Sequence, residues 1–155
     1  MRPRSKIISG GQTGVDRAAL EWALAHGIAH GGWCPKDRKA EDGLIPPRFH
    51  LQETGSGNST IRTRWNVRDS DGTVIFSSKA RLSGGSLKTA QFAVALGKPL
   101  LRLTVATGIR KAAAQLTAFI RKHDITVLNV AGPRASQESD LGEFVKAVLS
   151  LALIE

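Results

Sequence analysis

Apolar positions along this chain alternate between short solid runs and stretches of helical period. Lys6-Ile7-Ile8-Ser9 reads as a short buried strand, followed by the tight turn Gly10-Gly11-Gln12-Thr13-Gly14. Val15, Ala18, Ala19, Trp22 and Ala23 then recur at i, i+3, i+4, i+7 and i+8 and so share one helix face. Gly27 ends that helix, and residues 28–33 form a second strand weakened by Gly31 and Gly32. Residues 62–68 are a short helix and residues 73–76 an apolar, β-branched strand. Residues 87–96 are apolar on most sides, which predicts a well-buried helix. A strand over 100–103 follows Pro99, and Ile109, Ala112, Ala113, Leu116, Phe119 and Ile120 give a helical stripe. Residues 125–130 are the last strand; Leu141, Phe144, Val145, Val148, Leu149 and Ala152 line the last helix.

The order β-α-β-loop-β-α-β-α-β-α predicts a Rossmann-like three-layer α/β sandwich. A parallel five-stranded sheet carries helices on both faces. Right-handed crossovers restrict the topology, and the expected strand order is 3-2-1-4-5. With no repeat and no linker in view, residues 1–155 read as one domain. The Pro-, Gly- and Ser-rich stretch over 34–60 is longer than an ordinary connection, which marks a functional or mobile loop.

Composition narrows the class. The 155 residues are 41% hydrophobic and 23% charged, as in soluble globular proteins. No apolar run is long enough to span a bilayer, and the charged residues before Ile7 are followed by too short an apolar stretch for a signal peptide. The single cysteine, Cys34, excludes an intrachain disulfide and fits a reducing cytoplasm. The net charge is +9; of 22 Lys and Arg, nine fall in residues 72–123, where there is no Asp or Glu. Such a field attracts anions, or merely keeps the surface soluble. A small anion fits better than nucleic acid, because no nucleic-acid-binding signature accompanies the charge.

In such a sheet ligands bind beyond the carboxyl ends of the strands. Three loops there are unusual. In Gly10-Gly11-Gln12-Thr13-Gly14 the glycines admit close backbone approach, and the next helix offers free N–H groups to a phosphate or oxyanion. Thr13 adds a hydroxyl donor or caps the helix. Ser83-Gly84-Gly85-Ser86-Leu87-Lys88-Thr89 repeats the arrangement, with Ser86 and Thr89 near one helix end; Thr89 either faces the ligand or bonds the preceding turn. Asn129-Val130-Ala131-Gly132-Pro133-Arg134 runs out of the last strand, and Arg134 can clamp an anion bidentately. The long loop adds Lys36, Arg38, Lys39, Glu41 and Asp42, and Asp71 precedes the third strand. Cys34 and four scattered histidines (26, 30, 50 and 123) give no zinc pattern.

These loops resemble the molybdenum-cofactor carrier family. The resemblance rests on Gly10-Gly11-Gln12-Thr13-Gly14-Val15-Asp16-Arg17-Ala18-Ala19-Leu20, Gly31-Gly32-Trp33-Cys34-Pro35-Lys36, Lys39-Ala40-Glu41-Asp42-Gly43 and Arg62-Thr63. It continues through Asn66-Val67-Arg68-Asp69-Ser70-Asp71-Gly72-Thr73 and Asn129-Val130-Ala131-Gly132-Pro133-Arg134. The resemblance implies binding of molybdenum cofactor (molybdopterin with its metal) without transforming it, and homo-oligomers, dimers or tetramers. Molybdoenzymes or cofactor-synthesis proteins become the expected partners. Carried over, the binding loops are residues 10–14, 36–39, 84–89 and 132–134. Two departures stand out: Asp37 where a glycine is expected, and Ser86 where a threonine is expected. Related phosphoribohydrolases carry a catalytic glutamate in the second glycine loop. Here Ser86-Leu87-Lys88-Thr89-Ala90-Gln91 lacks it, which disfavours that hydrolysis.

Three functions are therefore weighed. The leading one is non-catalytic carriage or storage of the cofactor, or of molybdate or tungstate itself. The alternatives are a nucleotide-derivative sensor on the same loops, and a nucleotide hydrolase using Asp16, Glu41, Asp42 or Asp71 as base.

Overall fold

The solid apolar runs pair into one parallel sheet in the computed structural model, which describes residues 5–154. The expectation about a leader segment concerns residues 1–4, which lie outside the described residues, as does residue 155. In chain order the elements are β1 (Lys6–Ile8), α1 (Val15–Ala25), β2 (Ala29–Gly31), β3 (Trp33–Cys34), a 3-10 turn (Lys36–Arg38), β4 (Lys39–Ala40) and β5 (Gly43–Leu44). Next come β6 (Gln52–Glu53), α2 (Ser59–Arg68), β7 (Gly72–Ser77), α3 (Gly84–Ala95) and β8 (Leu100–Thr104). A 3-10 turn (Val105–Thr107), α4 (Ile109–His123), β9 (Val127–Ala131) and α5 (Leu141–Leu153) complete the chain.

The five-stranded sheet has the order β2-β1-β9-β7-β8, with every pairing parallel. Counted over these five strands the order is 2-1-5-3-4, which corrects the expected 3-2-1-4-5. Crossover handedness fixes the side on which a helix packs, but not where the long connection from β2 to β7 lands. It skips one strand position, and β9 fills the gap: Ile8 and Thr73 both pair with Asn129, from opposite sides.

The principal core lies on one face of the sheet. There α1 and α4 both pack on α5, around Val15, Trp22, Val74, Phe76, Leu116, Leu128, Val145 and Val148, all buried. The predicted stripe of α1 is buried throughout, and that of α5 all but Ala152. The other face carries α2 packed against α3. Here the expected well-buried helix is corrected. The buried side of α3 consists of Ser86, Thr89 and Ala93, while Leu87 is 41% and Val94 77% exposed. Its neighbours are α2, β7 and the edge strand β8, too few to cover an all-round apolar helix.

The long connection folds into short elements of its own. β2 ends at Gly31, earlier than expected, and β3 leaves the sheet to pair with β6. Arg38 pins the loop from inside, donating to the carbonyls of Pro46 and Phe49 at 2.8 Å and of Ile45 at 3.2 Å. Cys34, Leu20, Ile45 and Phe49 make a second small core beneath it. We expect Leu116→Ala to remove about 2–5 kcal/mol of unfolding free energy. Leu44→Ser, at a site 71% exposed, should change it by under about 0.5 kcal/mol in the same denaturant titrations.

Candidate functional site

The carboxyl ends of β1, β9 and β7 open into one cleft, where α1 leads away to β2 and α3 leads the other way to β8. Its open volume is about 120 Å³, on the order of ten water-sized volumes. The walls come from Gly10, Gln12 and Asp16; from Ser59, Arg62, Thr63 and Asn66 of α2; from Gly85, Ser86 and Thr89 of α3; and from residues 129–134 with Gln137.

The two glycine loops, alike in sequence, differ in their donors. At α1 most of the loop's donors are taken up, by side chains of the loop and helix and by the loop after β9. Gln12 N–H donates to Asp16 Oδ2 (3.3 Å), Thr13 N–H to Gln12 Oε1 (3.0 Å) and Val15 N–H to the carbonyl of Pro133 (3.4 Å). Gly14 sits at φ 80°, and a Cβ there would stand 2.6 Å from the Pro133 oxygen, so this loop is packed shut against the loop after β9. At α3 nothing caps the helix. Ser83 makes no side-chain cap bond and the first turn holds no acid. Leu87 N–H is the first to bond back, to Ser83 O at 3.2 Å. The N–H groups of Gly84, Gly85 and Ser86 precede it and have no helical acceptor. Ser86 Oγ is buried and without a partner. Thr89 Oγ1 donates to Gly85 O at 2.9 Å, so its hydroxyl belongs to the preceding turn.

Opposite α3 stands Arg62. Its Nη1 donates to Gly10 O (2.9 Å) and lies 3.5 Å from Asp16 Oδ2; both side chains are nearly buried. A Cβ on Gly10 would fall 2.1 Å from that Nη1, so the glycine makes room for the guanidinium. Burial pushes the Asp16 carboxyl from 3.8 up to about 6, against the opposing pull of Arg62, the Gln12 N–H, Ser9 and Arg17. Ionised Asp16 therefore weakens the fold by about 3 kcal/mol relative to an unperturbed carboxylate. That stability is present below pH about 4 and is lost as pH rises through 6.

The expected site residues divide into groups. Gly10, Gln12, Gly85, Ser86, Thr89, Asn129, Gly132, Pro133 and Arg134 line the cleft. Gly11, Thr13, Gly14 and Gly84 belong to the flanking loops without forming the wall. Lys36 and Lys39 point to solvent from the long loop, and the donors of Arg38 are spent on backbone carbonyls. Asp71 is placed at the wrong end: it precedes β7 and accepts from Thr126 and Val127 N–H (3.0 and 2.8 Å), at the amino ends of the strands. Asp37 has φ 63°, the left-handed backbone that explains why glycine is expected there, and its loop is not a wall of the cleft. Cys34 is a fully buried thiol, raised by burial.

The nine cations of residues 72–123 supply none of the wall either; its cations are Arg62 and Arg134. Arg62, Asn66 and Ser59 were not among the expected donors. The signal was the spacing of Arg62 and Asn66, one helical turn apart and so on one face. Asn66 also clamps the long loop, accepting from Trp33 N–H (2.8 Å) and donating to Trp33 O (3.0 Å). Among the described residues no group of three His, Cys, Asp or Glu can hold a metal ion.

Comparison with known proteins gives a consistent picture. The model of the circularly permutated YpsA SLOG family matches residues 7–153. The crystal structure named "Putative molybdenum carrier protein", from Syntrophus aciditrophicus SB, is 44% identical with a TM-score of 0.93, over 96% of this chain and 94% of that one. The structure of (E)-4-hydroxy-3-methyl-but-2-enyl diphosphate reductase aligns at 10% identity and TM-score 0.41, over 95% of this chain and 58% of that one, too remote to carry an argument. No curated protein matches.

The buried carboxyl sets a pH dependence. Sulfate keeps its charge between pH 5 and 8, so calorimetric titration with it isolates the protein. Its affinity should rise about tenfold as pH falls from 7.5 to 5.5 and Asp16 takes up a proton. Asp16→Asn should flatten the profile; an unchanged slope in that variant would refute the assignment.

Proposed function

Since this chain belongs to the circularly permutated YpsA SLOG family and shares 44% identity with a protein named as a molybdenum carrier, we propose that it binds and carries an oxo-anion of molybdenum or tungsten, free or in a cofactor, without transforming it. The ligand is molybdenum cofactor, held by its phosphate, or molybdate or tungstate. The observation that carries this reading is the uncapped N-terminus of α3, where Gly85 and Ser86 line the cleft with unbonded N–H groups and the hydroxyl of buried Ser86 is orphaned. Dipole and donors together make this the natural seat of a tetrahedral oxyanion. Arg62 and Arg134 approach from the other walls.

The donor set fits such a group. It consists of N–H, hydroxyl, amide and guanidinium, which bind oxygen; it contains no thiolate or imidazole to coordinate the metal itself. The cleft takes a phosphate or small oxyanion, and the rest of a larger ligand extends outward. In this reading the protein acts in the cytoplasm as a homo-oligomer, a dimer or tetramer, and exchanges its ligand with cofactor-synthesis proteins and molybdoenzymes. The uncovered side of α3, with Leu87 and Val94, offers apolar surface for such assembly.

Native mass spectrometry with metal analysis on gently purified protein tests the proposal. Molybdenum or tungsten near one per chain, with a pterin mass, supports cofactor carriage; metal without a pterin supports oxyanion storage. A nucleotide mass without metal overturns both and favours a sensor. Turnover of a nucleotide that disappears in Asp16→Asn favours a hydrolase. One substitution separates binding from folding. Ser86→Ala removes a buried unsatisfied hydroxyl, so the ligand-free protein should gain about 1 kcal/mol of stability. The same variant should bind molybdate about tenfold more weakly. Loss of stability without loss of affinity would contradict the assignment.

A further inference from the structure

At the rim of the cleft one carboxylate gathers four donor groups. Glu41 lies between β4 and β5. It accepts from the Thr13 hydroxyl, from Ser136 Oγ at 2.5 Å and from Ser136 N–H at 3.2 Å, while Arg134 Nε stands 3.9 Å away. Thr13 Oγ1 is itself fixed, accepting from Ala135 N–H at 3.1 Å. Two hydroxyls, one N–H and a guanidinium form the kind of donor set that holds a phosphate or carboxylate on a ligand. Hydrogen bonds from Ser136 and Thr13 hold the Glu41 carboxyl below the usual range, so it is an anion that sits there.

The carboxylate reaches this cradle from outside. Residues 41–44 are exposed, and Leu44 has no core contact to keep it in place. The tip of the hairpin is tied down by polar bonds: Glu41 N–H to Gln12 Oε1 (2.9 Å), and Arg17 to both oxygens of Asp42 (2.8 and 3.2 Å). Its base is different, since Ile45 is buried and Arg38 is bonded four times to the loop. A tip held by polar bonds, with no buried apolar side chain of its own, can open while its base stays folded. Arg134 and Gln12 both line the cleft, so the cradle adjoins it directly.

We infer that Thr13, Ser136 and Arg134 form a second anion subsite, which Glu41 fills in place of the ligand until a ligand with two anionic groups displaces it. This rests on the reading of the α3 N-terminus as the first anion site. It deepens that reading by naming the ligand class: one anionic group on α3 and a second at the rim. A single-headed anion takes only the first site and leaves the hairpin closed. A two-headed anion competes with Glu41, and its affinity is lowered by that competition.

The test compares sulfate with inorganic tripolyphosphate on the full chain by titration calorimetry. Glu41→Ala should tighten tripolyphosphate at least tenfold and sulfate less than threefold; Glu41→Gln should fall between. In the wild-type protein tripolyphosphate, but not sulfate, should accelerate amide exchange in residues 40–44. If Glu41 instead only positions Arg134, the alanine variant weakens both anions, and that result overturns the inference. Equal tightening of both anions overturns it too, because removing one charge would then account for everything. Failure of the first site has a separate signature: wild-type protein that binds no sulfate strikes the α3 reading, whatever the hairpin does.

Discussion

Everything at the cleft depends on β9 lying between β1 and β7. Because Asn129 pairs with Ile8 on one side and Thr73 on the other, the loops after all three strands leave the sheet side by side. The chain order alone would scatter them, since β1 and β9 are more than a hundred residues apart. The insertion also determines which loop does which work. The segment after β9 runs between the two glycine loops, and its Pro133 carbonyl takes up the Val15 N–H at the start of α1. One glycine loop is thereby consumed in holding the last strand, and the other is left with its donors open.

That division explains why two similar sequences end in different roles. The α1 loop carries its own acceptors: Gln12 takes up the N–H of the next residue, and Asp16 that of Gln12 one turn back. The α3 loop carries Ser83 and Ser86 and no acid, and neither hydroxyl caps the helix. Counting glycines cannot distinguish these cases. What matters is whether an acceptor lies within reach of the first turn, and that is written in Asp16 and Gln12 rather than in the glycines themselves.

The alternation of apolar runs was legible as a parallel α/β sheet, because buried strands and amphipathic helices have different periods. The core faces of α1 and α5 could be read residue by residue. Strand order could not, because it depends on where a long connection lands. The burial of α3 was misread for a related reason: apolar composition shows what a helix can bury, and the fold decides whether neighbours exist to bury it, as Val94 shows. At the site, the residues after β9 and on α3 were legible from loop position. Arg62 and Asn66 were not, since they come from a helix in the long connection whose packing on α3 is a tertiary fact. The kinship with molybdenum carriers, by contrast, was visible in the loops themselves, and the 44% identity to a protein of that name bears it out.

The location of the charge completes the argument. The chain carries +9, yet the cleft itself holds Arg62 against buried Asp16, and Arg134 against Glu41 at its rim. The excess lies on other surfaces. A distant positive field speeds the arrival of an anion and is screened by salt; it adds little to the contact once formed. In the proposed function, short-range binding falls to uncharged donors, the N–H groups of α3 and the Ser86 hydroxyl, which would orient an oxyanion without the large desolvation that buried ion pairs require. Each local cation of the proposed site already has a carboxylate to return to when a ligand leaves. On the proposed reading, release is governed by these two carboxylates rather than by the basic surface.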